Sequence, residues 1–168
     1  MAVALGLAAC GGEPEAHAPI LREGPADQIL RVARVWEALA EESGFRTPPS
    51  PIATFTTKIT SRVALGDDRK TARESLSFTS HFKLSDGREF VCQASGEVTC
   101  AVRFADHGGD AAVELVRPAV SVPRRCNPAG FPEPTVDLPV STARFALRSD
   151  RLVPFAPASE RREFIPAD

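Results

Sequence analysis

The chain has 168 residues, and its 20 Lys and Arg side chains are nearly balanced by 22 Asp and Glu side chains, for a formal net charge of -2 at pH 7. The two signs are interspersed, so the sequence lacks the basic stripe that follows a phosphate backbone, and we do not expect nucleic acid as a partner. No apolar run approaches the ~20 residues of a membrane-spanning helix. A chain of this length has room for one domain with a hydrophobic core, which we place at residues 26–168.

The amino terminus carries the most specific motif of the sequence. A short apolar run ends in Leu7-Ala8-Ala9-Cys10. One large and two small residues before a cysteine resemble the lipobox of bacterial lipoproteins. The resemblance implies a signal peptide over residues 1–9, cleavage before Cys10 and attachment to a membrane through lipid on Cys10. Because no Lys or Arg precedes Cys10, we expect the natural start codon to lie upstream; the alternative is a domain that begins here, with Cys10 as a buried thiol.

Residues 10–25 have the composition of a tether. They mix Gly, Pro, Glu and Ala without an apolar period, which predicts a flexible segment with a reach of roughly 20 Å. Gly11, rather than Asp, follows the cysteine, and in this the sequence resembles lipoproteins that are sent to the outer membrane. The resemblance therefore implies an envelope protein held at the outer membrane by lipid on Cys10 and facing the periplasm.

Residues 26–43 are predicted to form one amphipathic helix. Pro25 suits a first helical position and Gly44 suits the residue after a helix. Apolar residues recur with a helical period of 3.6, at Ile29, Val32, Ala33, Trp36, Leu39 and Ala40.

The period then changes to two, which indicates antiparallel strands with one buried face. The apolar positions of the first two strands are Phe55, Ile59, Val63 and Leu65, then Leu76, Phe78, Phe82 and Leu84. Ser85-Asp86-Gly87 fits a three-residue hairpin loop, which places Phe82 opposite Phe90 and Ser80 opposite Cys92.

A further turn is predicted at Gly96, and it brings Cys92 across from Cys100 on the inward face of the next strand. Cross-strand partners lie close enough for a bridge, so we predict a Cys92–Cys100 disulfide. Two alternatives stay open. Both residues are free buried thiols, or Cys126 pairs with one of them.

The remaining sequence predicts shorter strands. They are expected at Ala112–Val116, at Ala119–Val122 as an edge strand within the proline-rich segment 118–139, and in a last hairpin, Arg144–Leu147 with Leu152–Phe155. The fold class is therefore α+β and mainly β. One N-terminal helix packs on a curved antiparallel meander of five to seven strands, as a cystatin-like wrap or a half-barrel.

Two polar groups are candidate ligand sites. Asp106-His107-Gly108-Gly109-Asp110 offers two carboxylates and an imidazole for a metal ion, but a Gly-Gly hairpin turn explains the same residues, and we predict no metal site. His81 lies on a polar face where an acidic ligand would bind, although Glu89 and Glu97 on that face favour a solvated surface. The basic residues that could join His81 are Lys58, Arg62, Lys83 and Arg103.

Nothing in the sequence predicts an enzyme. There is no Gly-x-Ser-x-Gly elbow, no glycine loop for phosphates and no His-Glu-x-x-His helix. Cys126, between Arg124 and Arg125, is a candidate redox thiol, but no second cysteine stands at Cys-x-x-Cys spacing. We therefore predict no catalytic residue and no cofactor.

Three functions follow in order of preference. The first is a lipid-anchored module that binds an envelope protein or another envelope component through its sheet edges or the proline-rich segment. The second is a carrier of an apolar ligand, held between the helix and a curved sheet in a cavity of about 300 Å³ or more. The third is an enzyme without a recognisable motif. The phenylalanines expected to line a carrier's cavity are Phe55, Phe78, Phe82, Phe90 and Phe104.

Overall fold

A computed structural model describes residues 23–155 and 162–167. The predicted signal peptide, Cys10 and most of the tether lie outside the described residues. The helix is α1 (Pro25–Val32), and the strands are β1 (Val35–Phe45), β2 (Ile52–Leu65), β3 (Thr71–Leu84), β4 (Glu89–His107), β5 (Asp110–Arg117), β6 (Val120–Asn127), β7 (Thr135–Leu138), β8 (Ser141–Arg148), β9 (Arg151–Pro154) and β10 (Ile165–Pro166). The described part of the chain contains no helix with the length and apolar character to cross a membrane.

The coarse fold class is confirmed, because one N-terminal helix precedes an antiparallel sheet that is nearly closed and barrel-like. The prediction of five to seven strands is too low, since the described residues form a sheet of ten.

The predicted helix over residues 26–43 is wrong beyond Val32. Ala33 has extended backbone, with φ -160° and ψ 154°, and Val35–Phe45 pairs along its whole length with β2. Trp36 is buried, whereas Leu39 is 72% exposed. The apolar residues of this segment fit a strand period as well as a helical one, and the long ladder with β2 decides between them, because tertiary pairing overrides local propensity.

The hairpin between β3 and β4 has the predicted register. Gly87 has a φ of +88°, Phe82 lies opposite Phe90, and Ser80 lies opposite Cys92. The predicted turn at Gly96 is wrong, because β4 runs through it without interruption. A Cβ atom at Gly96 would lie 3.1 Å from Val122, so the glycine serves the close approach of β6 rather than a turn.

The predicted Cys92–Cys100 disulfide is therefore also wrong. Both residues lie on β4, roughly 27 Å apart along the strand, which is far beyond bridging distance. Cys92 instead pairs with Cys126, its register partner on β6, and their Cα atoms are 4.0 Å apart. Cys100 is a free buried thiol.

The sheet divides at β4 into two parts. Residues 101–107 of β4 pair with β5, which continues through β8 and β9; Leu152 then bridges to Phe164, and β10 pairs with the start of β1. We call this part the closed end. Residues 91–94 of β4 pair instead with β6, whose other neighbour is β7. We call the part formed by β6, β7 and the adjoining halves of β1 to β4 the open end.

The closed end has a filled apolar core. Trp36, Phe145 and Phe164 are at most 3% exposed, and α1 contributes the fully buried Ile29. The indole N–H of Trp36 donates to the Ala33 carbonyl at 3.1 Å, so the ring is buried with its polar atom bonded. Each such side chain stabilises the fold by about 1.5–3 kcal/mol through burial. The closed end therefore contains a well-packed core beside the open end.

Candidate functional site

The open end contains a half-enclosed cleft of about 900 Å³, within the ~300–1,000 Å³ range of ligand pockets. Its floor consists of side chains that face each other across β2 and β3. From one end to the other, the opposing pairs are Phe55–Phe82, Thr57–Ser80 and Ile59–Phe78, and Leu76 ends the floor. From Leu76 to Phe82 the floor is about 20 Å long at the usual rise per strand residue.

The opposite wall comes from the β6–β7 hairpin. Val136 and Leu138 of β7 line the cleft, while Val122 of β6 is 1% exposed. Val122 packs against Leu76, Phe78 and Ala94 at the place where Gly96 leaves room for it. The hairpin thus covers one side of the floor, and Phe55 and Ile59 on the other side stay only half-buried.

An ion-pair network joins the two walls at the Phe55–Phe82 end of the cleft. Arg46, just after β1, donates to Glu133 Oε1 at 2.8 Å. Arg124 of β6 donates to the Glu133 carbonyl at 3.1 Å and to its Oε2 at 3.3 Å. The Arg124 guanidinium also lies 5.1 Å from the ring centroids of both Phe82 and Phe131. Both arginines therefore have fixed protein partners.

The other end of the cleft meets a layer of buried polar side chains, Ser61, Glu74, Cys100 and Arg117, which we call the polar layer. Ser61 donates to Glu74 Oε1 at 2.8 Å, and the Cys100 thiol donates to Glu74 Oε2 at 3.6 Å. Arg117 Nη1 lies 3.6 Å from Glu74 Oε2. Arg117 follows the inward-facing core residues of β5, and Ser61 lies between the core residues and the cleft residues of β2. The polar layer therefore separates the closed core from the cleft floor.

The environment of Cys100 makes it a poor nucleophile. Burial raises the pKa of its thiol to about 12, with further contributions from the charge of Glu74 and the hydrogen bond to it. The thiolate is the reactive form of cysteine, so Cys100 is unreactive near neutral pH. Cys126, the candidate redox thiol of the sequence, is bonded to Cys92 and is not a free thiol.

The Asp106–Asp110 segment is the turn between β4 and β5. Gly108 and Gly109 have φ values of +64° and +93°, as a tight hairpin turn requires. Asp106 accepts a hydrogen bond from the Gly109 N–H at 3.1 Å, and Asp110 accepts one from Arg148 at 2.9 Å. Within residues 23–155 and 162–167, no three His, Cys, Asp or Glu side chains are grouped for a metal ion.

The basic residues near His81 do not form one unpaired cluster. Lys83 lies 3.9 Å from Glu89, and Lys58 lies 3.8 Å from Glu41. His81, Lys83 and Glu89 border a second, smaller pocket of about 300 Å³ on the outer face of the sheet. Each lysine thus has a carboxylate beside it.

Of the predicted cavity phenylalanines, Phe55, Phe78 and Phe82 line the cleft. Phe90 is buried against Phe131, with ring centroids 5.3 Å apart, and Phe104 packs on the closed core. The predicted place, between helix and sheet, is wrong, because no residue of α1 lines the cleft. Sequence reasoning also missed several polar residues at its ends, whose only signal was their position on the apolar face of a strand: Glu74, Arg117 and Arg124.

No protein-family model, curated protein or solved structure matches this chain. The described lining residues give the cleft an apolar floor with a basic and acidic border.

Proposed function

We propose that this chain is a lipid-anchored binding protein of the bacterial envelope and that its cleft takes an apolar or amphipathic small molecule. One observation carries the proposal. The sheet presents a floor rich in phenylalanine and aliphatic side chains to a volume of about 900 Å³ that the described residues leave open. A concave surface of this size, with both apolar and polar side chains, is the usual form of a small-molecule site.

The energetic reason is the apolar area left in contact with water. Phe55 and Ile59 stay half-buried in the cleft, and covering apolar surface gains about 25 cal/mol per Å². A ligand with an apolar body completes this burial. The open end then acts as the half-barrel that the sequence predicts, with β1 and β7 as its two edges.

The lipobox resemblance supports the proposed location. Lipid on Cys10 would hold the domain at the periplasmic face of the outer membrane, with the cleft within a tether length of roughly 20 Å from the lipid. Intact-mass analysis of the chain made in a bacterium that processes lipoproteins should show loss of residues 1–9 and added acyl mass. Cys10→Ser should abolish both changes, and a full-length, unacylated wild-type chain would contradict the location.

A fluorescent apolar probe, N-phenylnaphthylamine, tests the cleft in the unlipidated Cys10→Ser chain. Thr57 lies on the cleft floor, whereas Thr60 lies on the opposite face of the same strand. Thr57→Trp fills the cleft and should weaken probe binding about tenfold or more, which is a change of roughly 1.4 kcal/mol. Thr60→Trp is the matched control and should leave binding unchanged. Equal binding by both variants, each with an unchanged unfolding temperature, would contradict the proposal.

A second candidate, docking of an envelope protein, is favoured by the edge of β1. Beyond Glu37 this strand has no register partner on its outer side within the described residues, and Leu39 and Phe45 on it are 72% and 79% exposed. An open edge with exposed apolar side chains suits strand addition by a partner. Leu39→Lys should then weaken capture of that partner and leave probe binding in the cleft unchanged.

A further inference from the structure

We propose that Arg117 binds the anionic head group of an amphipathic ligand at the polar-layer end of the cleft, with the apolar tail lying along β3 toward Phe82. The inference rests on the proposed function and adds the chemical class of the ligand, a long-chain carboxylate or another anion with one extended apolar chain.

The strand period places Arg117 at this position. The inward-facing residues of β5 are Ala111, Val113 and Leu115, all in the closed core. Arg117 is the next residue of the same row and the last residue of β5. Its side chain is 16% exposed and lines the cleft. The inward-facing row of β5 therefore ends in a guanidinium instead of an apolar side chain, at the boundary between the closed core and the cleft.

The guanidinium of Arg117 keeps an unmade hydrogen bond at Nε, because no acceptor among the described residues bonds to this buried atom. The 3.6 Å separation of Nη1 and Glu74 Oε2 is an ion pair rather than a hydrogen bond. Glu74 is itself satisfied by Ser61 and Cys100. Because unmade hydrogen bonds of a buried charged group are costly, an added acceptor at this guanidinium is favourable.

A carboxylate or phosphate is the acceptor that fits a guanidinium best, through two parallel charge-assisted hydrogen bonds. The other charges of the cleft support the same orientation. Glu133 already engages Arg46 and Arg124 at the far end. Glu42 borders the middle of the cleft, in register with Thr57, and repels an anion there.

The length of the cleft floor determines the length of the apolar tail that the ligand can have. About 20 Å separates the Leu76 and Phe82 positions along β3, and the side chains between them include Phe78 with Ile59 opposite. One extended acyl chain spans this distance. The hydroxyls of Thr57 and Ser80 bond to each other at 2.9 Å, so they need nothing from the tail.

Displacement of N-phenylnaphthylamine by palmitate, hexadecanol and hexadecyltrimethylammonium tests the head group at constant tail length. In the Cys10→Ser chain, palmitate should bind about tenfold more tightly than hexadecanol. Arg117→Met keeps an unbranched apolar side chain, and should remove this difference by weakening palmitate alone. Arg73→Met, on the outer face of β3, should change neither ligand.

Two further variants keep the test decisive. If Arg117→Met fails to fold because Glu74 is left as an unpaired buried charge, Arg117→Met combined with Glu74→Gln removes both charges and should again bind palmitate and hexadecanol equally. Glu74→Gln alone removes the negative charge beside Arg117, and should tighten palmitate binding severalfold without affecting hexadecanol.

The outcomes separate the two proposals. Displacement of the probe by none of the three compounds would overturn the proposed function and this inference together. Equal binding of palmitate and hexadecanol by the wild-type cleft, with no effect of Arg117→Met, would overturn the anionic head group and leave the apolar cleft standing. Tightest binding of hexadecyltrimethylammonium would also overturn it, because the head group would then be cationic.

Discussion

The closed and open ends share β1 to β4, but the apolar face of those strands is covered differently at each end. At the closed end, Trp36 and Phe145 are at most 1% exposed in a core sealed by α1 and four further strands. At the open end, β6 and β7 are the further strands that the described residues supply, and Phe55 and Ile59 stay half-buried beside the cleft. One alternating pattern in β2 and β3 therefore serves as core in one half and as candidate ligand surface in the other.

The difference begins at β4, where the partner changes from β6 to β5 along a single strand. Alternation in a strand indicates which side is dry, but it does not indicate what covers that side. The covering is decided by segments far away in the sequence, so the same phenylalanine-rich pattern has two outcomes.

The largest expected effect comes from removing one phenylalanine ring at each end. Phe145→Ala opens a cavity in the closed core and should lower the free energy of unfolding by about 3–5 kcal/mol. Phe55→Ala removes a ring that already borders the cleft, and should cost less than half as much. Urea unfolding of both variants gives the comparison. Equal losses would mean that the cleft is packed like a core.

The next effect concerns the disulfide that holds the open end together. Cys92→Ser combined with Cys126→Ser should lower the free energy of unfolding by about 2–4 kcal/mol. Hydrogen exchange should quicken at the amides of β6 and β7 and change little in β5 and β8, because the bridge joins only β4 and β6. Cys100→Ser, which keeps the bridge, is the control. Equally faster exchange in β8 would show that the two ends do not behave separately.

The last effect lies at the boundary between the ends; it is absent at neutral pH and appears only at alkaline pH. The pKa of the Cys100 thiol is raised from 9.0 to about 12 by burial, so the folded chain keeps a proton that the unfolded chain releases. Stability from this group is complete below pH 9 and falls between about pH 9 and 12, by up to about 1.4 kcal/mol per pH unit. In the Cys10→Ser background, Cys100→Ser keeps a donor for Glu74 but does not titrate, and should have the shallower decline. Identical slopes would contradict a shielded thiol.

Local signals predicted part of this fold well. Ser85-Asp86-Gly87 predicted the length of the hairpin loop between β3 and β4, and this length placed Phe82 opposite Phe90. The last hairpin also forms as expected, and Ser149 and Asp150, which both have positive φ, form its turn. In each case the deciding interaction lies within a few residues of the signal.

Other features depend on distant partners and were not predictable from local pattern. The apolar pattern of residues 35–45 fits a helix, and only the pairing with β2 makes this segment a strand. Gly96 resembles a turn residue, but its role depends on Val122, and this error produced the wrong disulfide. The phenylalanines of the cleft were expected on an inward face. The inward position of Arg117 was not expected, because its contact with Glu74 depends on the division of the sheet at β4.

The change of partner along β4 has a mechanical consequence. The β6–β7 hairpin is joined to β4 through four register positions and one covalent bridge, whereas β5 holds a separate stretch of the same strand. The two ladders have no inter-strand hydrogen bond in common, so a substitution that loosens the hairpin from β4 leaves the pairing of β4 with β5 intact. Side chains that border the cleft can therefore change without a matching loss of pairing around the sealed core.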